Sequence, residues 1–536
     1  MRLRTLAIAL AAGAAAPHAF AQEDAPHPGK AVYDATCASC HNDPVNTPGA
    51  ERAAPLSVLR NMAASDLRAS LTGDGIMAPM AAALSEDQVS QLIGWLTAEQ
   101  QTATVEWDQA LMCEADNRSV DVSATTGISY FGGDLKSTRV LDPAQAGFDG
   151  ADFSTLEVDY AIGIPRVQSL GTGIVTLGDT AFLNAGGKLL ALDADEGCAR
   201  WIHDAGPSRS TPHIGSIDGR LAVFHVTGGS DILAVDAATG SQIWKASGQP
   251  ANGVGSIRGS VLVHDNKVIV PISASGVATG MNPKYECCEG HGAVVALDAR
   301  DGSRLWEYHT MEDATYNGLV NSVGVKQKGP SGAPIWATPT IDEKRNRVLV
   351  ATGENTSHPA TETSDAIIAL DLDTGEQEWL FQAMPADVWN MACDSSTPPA
   401  DSLAVAPRPA DGPNCPMHFG GNGRDFDFGA APVLTRTKGG LFGLGARDIV
   451  LGGQKSGDVW ALDAESGEVI WNERIGYGSA LGGVHWGIAS DGERVYVPIS
   501  DPTRLLPEPL ESKAGFYALD VKTGKRLWSY VAEPDC

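Results

Sequence analysis

Positive charge is scarce in this chain. Its 38 lysines and arginines face 66 aspartates and glutamates, a formal charge of −28. That balance argues against nucleic acid or an anionic membrane as partner, since both need a basic face. Long apolar runs are missing too. After residue 16 nothing approaches the ~20 residues that a helix needs to cross a bilayer, so no membrane span is expected. Cysteine is sparse, with nine in 536 residues, and the few positions it takes are informative.

The chain begins MRLRTLAIALAAGAAAPHAFAQ. Arg2 and Arg4 precede an apolar core, Leu6 to Ala16, and Ala19-Phe20-Ala21 offers a small-residue cleavage site. This pattern predicts a secretory signal over residues 1–21, too short to span a membrane. The mature protein then starts near Gln22, carries a charge of about −30, and resides in the periplasm, where disulfides persist. The 60 glycines and 31 prolines are spread along the chain, which suits many tight turns.

Residues 37–41 read CASCH. Two thiols spaced to bond haem vinyl groups, followed at once by a histidine, predict covalent c-type haem with Cys37 and Cys40 as attachment points and His41 as iron ligand. A zinc half-site or a thioredoxin-like pair would not explain that histidine. Met77 and Met80 compete for the sixth position. Ser85, Asp87 and Gln88 open a helix on which Val89, Leu92, Ile93 and Leu96 recur at helical spacing. In class I cytochromes c, which this stretch resembles, the axial Met lies about eight residues before that cap. This selects Met77, leaving Met80 at the core or haem edge. A small helical cytochrome c domain is expected over residues 22–102.

The remainder, 103–536, repeats itself. KLLALDADEGCARW, DILAVDAATGSQIW, AVVALDARDGSRLW, AIIALDLDTGEQEW, DVWALDAESGEVIW and GFYALDVKTGKRLW share one plan: an apolar strand ending in Asp, a turn with Gly, and a strand closing on Trp. Asp and Gly make the tight hairpin, and the Trp packs on the neighbouring sheet. Repeats of this spacing predict a mostly β protein, a β-propeller with variable loops. The phrase resembles the docking motif of pyrroloquinoline quinone (PQQ) dehydrogenases, whose propellers have eight blades; six motifs are visible here. Related repeats also build non-catalytic scaffolds, so a binding propeller with an electron-carrier cytochrome is the alternative reading. The fused haem favours the enzyme.

Between the repeats, residues 331–375, DFDFGAAPVL, GGQKSGDVWALD and LGGVHWGIASDGERVYV are similar to polyvinyl alcohol dehydrogenase and its relatives. The resemblance implies oxidation of alcohols, secondary ones in particular, with PQQ, calcium and haem c as cofactors and a periplasmic electron acceptor such as another cytochrome. By motif it implies Trp336 as the floor under the quinone and Arg209 against a PQQ carboxylate. Lys455 would donate to the quinone oxygen, and Trp486 would be a further PQQ contact. Glu354 and Asn355 would lie in the calcium loop. Relatives carry a Trp-Asp pair whose Asp is the base; Val388-Trp389-Asn390 stands here, so Asn390 cannot serve. Asp425 is expected to be the base and a calcium ligand, with Asp427 beside it and Asp387 as the fallback.

Cys287 and Cys288 are expected to form a vicinal disulfide lid over PQQ, and Cys393 to pair with Cys415. Cys113, Cys198 and Cys536 leave an odd thiol. Two departures stand out. Gly276-Val277 replaces an acidic pair, which puts calcium in doubt, and His291 replaces an arginine. Relatives also continue beyond the sixth motif, so either the sequence is partial or this ring closes differently.

Overall fold

The computed structural model describes residues 27–43, 47, 53–60, 62, 64–72, 77–141, 155–164, 172–206, 208–228, 230–253, 255–393, 411–420, 423–439, 445–502 and 511–533. Two compact units meet between Gln109 and Ala110, where the sequence placed the change at 102. The difference follows from one helix, Glu86–Leu111, which runs on past the expected boundary. The expected signal, residues 1–21, lies outside the described residues. Among those described, no helix is long and apolar enough to cross a membrane.

The first unit is helical. Its last helix opens with a reciprocal cap: Gln88 N donates to Ser85 Oγ (3.2 Å), and Ser85 N donates to Gln88 Oε1 (2.9 Å). The helical stripe read from the sequence, Val89, Leu92, Ile93 and Leu96, is buried with Val32, Tyr33 and Leu67.

The second unit is a propeller of four-stranded antiparallel sheets, each a simple up-and-down meander; six are complete among the described residues. Every docking phrase supplies the third and fourth strands, and the register slips by one residue where the Asp turn begins. The tryptophans do more than pack. Trp201 Nε1 donates to Ala237 O (3.0 Å), Trp244 to Ala299 O, Trp306 to Leu372 O and Trp471 to Val521 O. Each acceptor follows the Asp of the next sheet. The ring lies on that sheet's turn glycine; a Cβ on Gly240, whose φ is +69°, would sit 2.6 Å from Trp201. Only glycine allows both that approach and that φ. Trp379 rests on Gly467 in the same way, but its Nε1 has no acceptor. Arg347 Nη1 has taken the carbonyl of Ala464, the residue in the corresponding position.

The ends of the series differ. Trp528 of the sixth sheet is 45% exposed. The first sheet's turn glycine, Gly197, is covered by Tyr160, whose OH donates to Ala194 O at 2.7 Å. Tyr160 therefore takes the place that Trp holds elsewhere, although no docking phrase announces it.

Two buried histidines, His213 and His225, are held near pKa 3 chiefly by desolvation. A folded pKa below the unfolded value means the unfolded chain binds more protons, so stability is lost as pH falls from about 6.5 toward 3. His225→Gln, which can keep the contact with Asn184, should recover about 2 kcal/mol of the stability lost between pH 7 and 5, at 1.36 kcal/mol per unit; urea midpoints at both pH values measure it. Trp306→Ala should cost about 3–5 kcal/mol. Trp528→Ala should stay within about 0.5 kcal/mol, and Tyr160→Phe should cost about 1 kcal/mol, all read as thermal or urea midpoints.

Candidate functional site

The haem-binding residues come first along the chain. Cys37 and Cys40 are unbonded to each other and partly exposed. His41 is buried, and its Nδ1 lies 2.6 Å from Ala54 O. Donation to that carbonyl fixes the tautomer and leaves Nε2 with its lone pair for iron. Leu56, Leu59, Met62, Leu71 and Leu84 surround the buried core only half covered, an apolar rim that a flat prosthetic group would complete. Met77 is partly buried, whereas Met80 is 60% exposed. The residues fit covalent haem.

In the propeller, four segments distant in sequence converge. Glu354 follows the strand Arg347–Ala351, Asp425 and Asp427 precede Val433–Arg436, Lys455 follows Asp448–Gly453, and Trp336 precedes Thr340–Asp342. Lys455 Nζ lies 2.8 Å from Asp425 and 2.9 Å from Asp427. Asp427 also accepts from Trp336 Nε1 (3.0 Å) and Glu354 N (3.0 Å). All three carboxylates are almost wholly buried, and one oxygen from each falls within a 4.8 Å cluster. Gly353 has no room for a Cβ beside the Asp427 carboxylate.

The electrostatics separate the carboxyls. Burial pushes Asp427 up, but Lys455 and the hydrogen bonds from Glu354 and Lys455 prevail and hold it well below the usual carboxylate range. Burial raises Glu354 and Asp425, the latter despite Lys455. Burial alone would lower Lys455, yet the three acidic neighbours raise it. One ammonium therefore serves three buried carboxyls. A hard divalent cation with oxygen preference would supply the missing positive charge, and the donor set fits calcium. The partly buried Trp336 indole, with Lys455 Nζ 5.6 Å from its ring centre, fits a flat, electron-accepting quinone.

Other expected residues are placed differently. Asn355 faces away: its amide donates to Ser331 O and Thr361 Oγ1 and accepts from Thr361 N. Glu354 immediately precedes the strand Asn355–Ser357, and of the two only Glu354 joins the cluster. Arg209 is exposed in the loop before His213–Ile217 and makes no ion pair with these carboxylates among the described residues. Trp486 is 70% exposed, with its ring edge-on to Trp336 at 5.6 Å. His485 packs beside both, its ring centre 5.9 Å from that of Trp336 and 4.8 Å from that of Trp486, and it is depressed to about 4 by burial and by Lys455. Sequence reasoning passed over His485, although it lies in the quoted HWG. Asp387, the fallback base, has both carboxylate oxygens engaged by the backbone of Arg424 and Phe426.

Cys287 and Cys288 are bonded to each other and fully buried. Cys288 Sγ lies 3.6 Å from Thr356 O, and Asn390 Nδ2 reaches Cys287 Sγ at 3.5 Å. The pair thus packs on the strand that follows Glu354. Gly276 explains one departure: its φ is +100°, and a Cβ would lie 3.3 Å from Cys288 Cβ, so any side chain there would be strained and would crowd the disulfide. Val277 packs with Trp389, Ala392 and the Cys393–Cys415 bridge. Cys113 pairs with Cys198; Cys536 lies outside the described residues.

Both units have known relatives. Residues 166–402 match the β-propeller domain of glucose, ethanol and alcohol dehydrogenases, residues 24–96 match cbb3-type cytochrome c oxidase subunit III, and residues 418–536 match the outer membrane protein assembly factor BamB. A polyvinylalcohol dehydrogenase from a Pseudomonas species is 34% identical over 94% of this chain and 76% of its own length. Another, from Sphingopyxis sp. strain 113P3, is 32% identical over 95% and 76%. A europium-containing methanol dehydrogenase shares the fold, with a TM-score of 0.50 over 80% of each chain at 15% identity. Propeller, cytochrome unit and quinone-type site together decide for the enzyme over the scaffold: the chain belongs to the polyvinyl alcohol dehydrogenase family of PQQ-dependent quinohaemoproteins, with PQQ and haem c as its cofactors.

Proposed function

We propose that this protein is exported to the periplasm, oxidises secondary alcohols, polyvinyl alcohol among them, and sends the electrons through its own haem to a soluble acceptor such as another cytochrome. Three disulfides among the described residues support an oxidising compartment. The observation that carries the chemistry is the buried Asp427 carboxyl, joined to both Trp336 Nε1 and Lys455 Nζ.

Bound PQQ supplies the hydride acceptor there, and calcium the added positive charge. Trp336 orients a flat ring. A base must lie within reach of an alcohol held over the ring, and of the two aspartates Asp427 is the one bonded to Trp336, the expected floor of that ring. We therefore assign proton abstraction from the alcohol to Asp427, and give Asp425 with Glu354 to the cation; the sequence alone had suggested Asp425 as base. Lys455 has three N–H donors, of which Asp425 and Asp427 use two. The third is left to steady negative charge on a quinone oxygen. Arg209 and Trp486 stay as candidate contacts at the exposed rim, and the Cys287–Cys288 pair as a rigid wall.

The test follows haem reduction in oxidised, haem-loaded protein given PQQ, Ca²⁺ and a secondary alcohol or short polyvinyl alcohol. Reduction that requires both PQQ and alcohol supports the proposal; PQQ binding without reduction by any of these alcohols overturns the substrate class. Asp427→Asn should slow reduction by about 10²- to 10⁴-fold. If Asp425→Asn does so while Asp427→Asn does not, the base is Asp425. Lys455→Met should slow reduction and also destabilise the fold by about 3–5 kcal/mol, since it leaves buried carboxylates without their cation.

A further inference from the structure

Asp425 has φ +57°, a conformation that side chains other than glycine rarely adopt. Something must hold it there, and the two peptide groups that flank it show what does. Arg424 N donates to Asp387 Oδ1 at 2.9 Å, and Phe426 N donates to Asp387 Oδ2 at 3.0 Å. A single carboxylate thus grips the chain on both sides of Asp425. Asp387 is fully buried, so these bonds do not compete with water.

The same residue reaches the other half of the site through its backbone. Asn355 N donates to Asp387 O at 3.1 Å, and Trp389 N donates to Asn355 O at 2.8 Å. Glu354 sits one residue away. Behind Asp387 lies Asp365, also fully buried, whose N donates to Gly353 O at 2.9 Å. Burial and the neighbouring Asp387 raise the Asp365 carboxyl, whose two oxygens have no hydrogen-bond partner. None of these links touches a reacting atom.

We infer that Asp387 is the positioning residue of this site: its two carboxylate oxygens set the Arg424–Phe426 turn, and its carbonyl ties that turn to Asn355, the start of the strand that follows Glu354, so that Glu354, Asp425 and Asp427 meet. This rests on the reading that those three carboxyls bind the cation and carry the chemistry. Asparagine at 387 can accept only one of the two backbone N–H groups; its NH₂ would face the other. The turn then loses its grip on one side of Asp425.

The test is Ca²⁺ binding by calorimetry to the haem-loaded, PQQ-free protein, followed by PQQ-dependent haem reduction at varied alcohol concentration. Asp387→Asn should weaken Ca²⁺ binding and lower kcat, each by about 10- to 100-fold, with KM for alcohol and the haem spectrum little changed. Asp365→Asn leaves both Asp387 bonds in place and should retain both properties. Should Asp387→Asn fail to fold, Asp387→Glu, which keeps two acceptor oxygens but moves them by one methylene, takes its place and should weaken both in the same direction. Ca²⁺ affinity and kcat within about twofold of the parent in the folded Asp387 variant overturn the proposal. Asp425→Asn and Asp427→Asn run alongside: if neither changes Ca²⁺ binding or turnover, the reading of the site itself has failed. If they do change it and Asp387→Asn does not, only the positioning role has failed.

Discussion

Each sheet of this propeller depends on the next for the grip on its outer strand. An indole N–H buried in that seam must find an acceptor, because leaving it unpaired costs about 1–3 kcal/mol. The carbonyl after each Asp supplies one, and the turn glycine clears space for the ring. A repeated phrase therefore encodes both halves of every joint, socket and plug. The exceptions follow the same logic. Trp379 loses its acceptor to Arg347, and the guanidinium binds where the indole would have. At Gly197 a tyrosine plugs the socket, and its hydroxyl makes the bond that indole makes elsewhere.

This construction leaves the inner ends of the strands free of structural duty. The segments after the second strands of the fourth and fifth sheets carry Glu354 and Lys455, and the connection between those sheets carries Asp425 and Asp427. Packing has already fixed the sheets, so the loops can hold a charge arrangement that would be unstable by itself. One lysine among three buried carboxyls is such an arrangement. Burying charge is costly unless it is paired and hydrogen-bonded, and here Asp427 receives three protein donors while Glu354 and Asp425 are raised.

Much of the fold was legible because its determinants are local. Six phrases, each within 14 residues, specify strand, turn and plug; CASCH and the Ser85–Gln88 cap are equally compact. The site was legible where a motif carries the chemistry in its own side chains, as at Trp336, Lys455 and the DFD run. It was not legible where side-chain direction decides. Glu354 and Asn355 are neighbours of similar promise, and only the direction of each side chain puts Glu354 in the carboxyl cluster and Asn355 on Ser331 and Thr361. Tyr160 was missed because a plug without a turn phrase has no signature. Asp387 looked like a reactive acid because sequence shows a carboxylate but not the two peptide N–H groups, 37 and 39 residues away, that occupy it.

The Gly276-Val277 substitution then takes a different meaning from the one sequence suggested. An acidic pair absent from that loop pointed to a weakened cation site. In the structure Gly276 lies against the Cys287–Cys288 pair with a φ that favours glycine, and Val277 joins the apolar packing around Cys393–Cys415. That loop is built to seat the disulfide, and the disulfide in turn rests on Thr356, two residues from Glu354. On the proposed reading, the negative charge needed for a cation comes instead from Glu354, Asp425 and Asp427, drawn from both sides of a long insert. Burial and acidic neighbours raise two of these carboxyls, and a divalent cation bound among them would favour their ionised forms. The departure from the family's loop is thus consistent with calcium, because the charge has a different source.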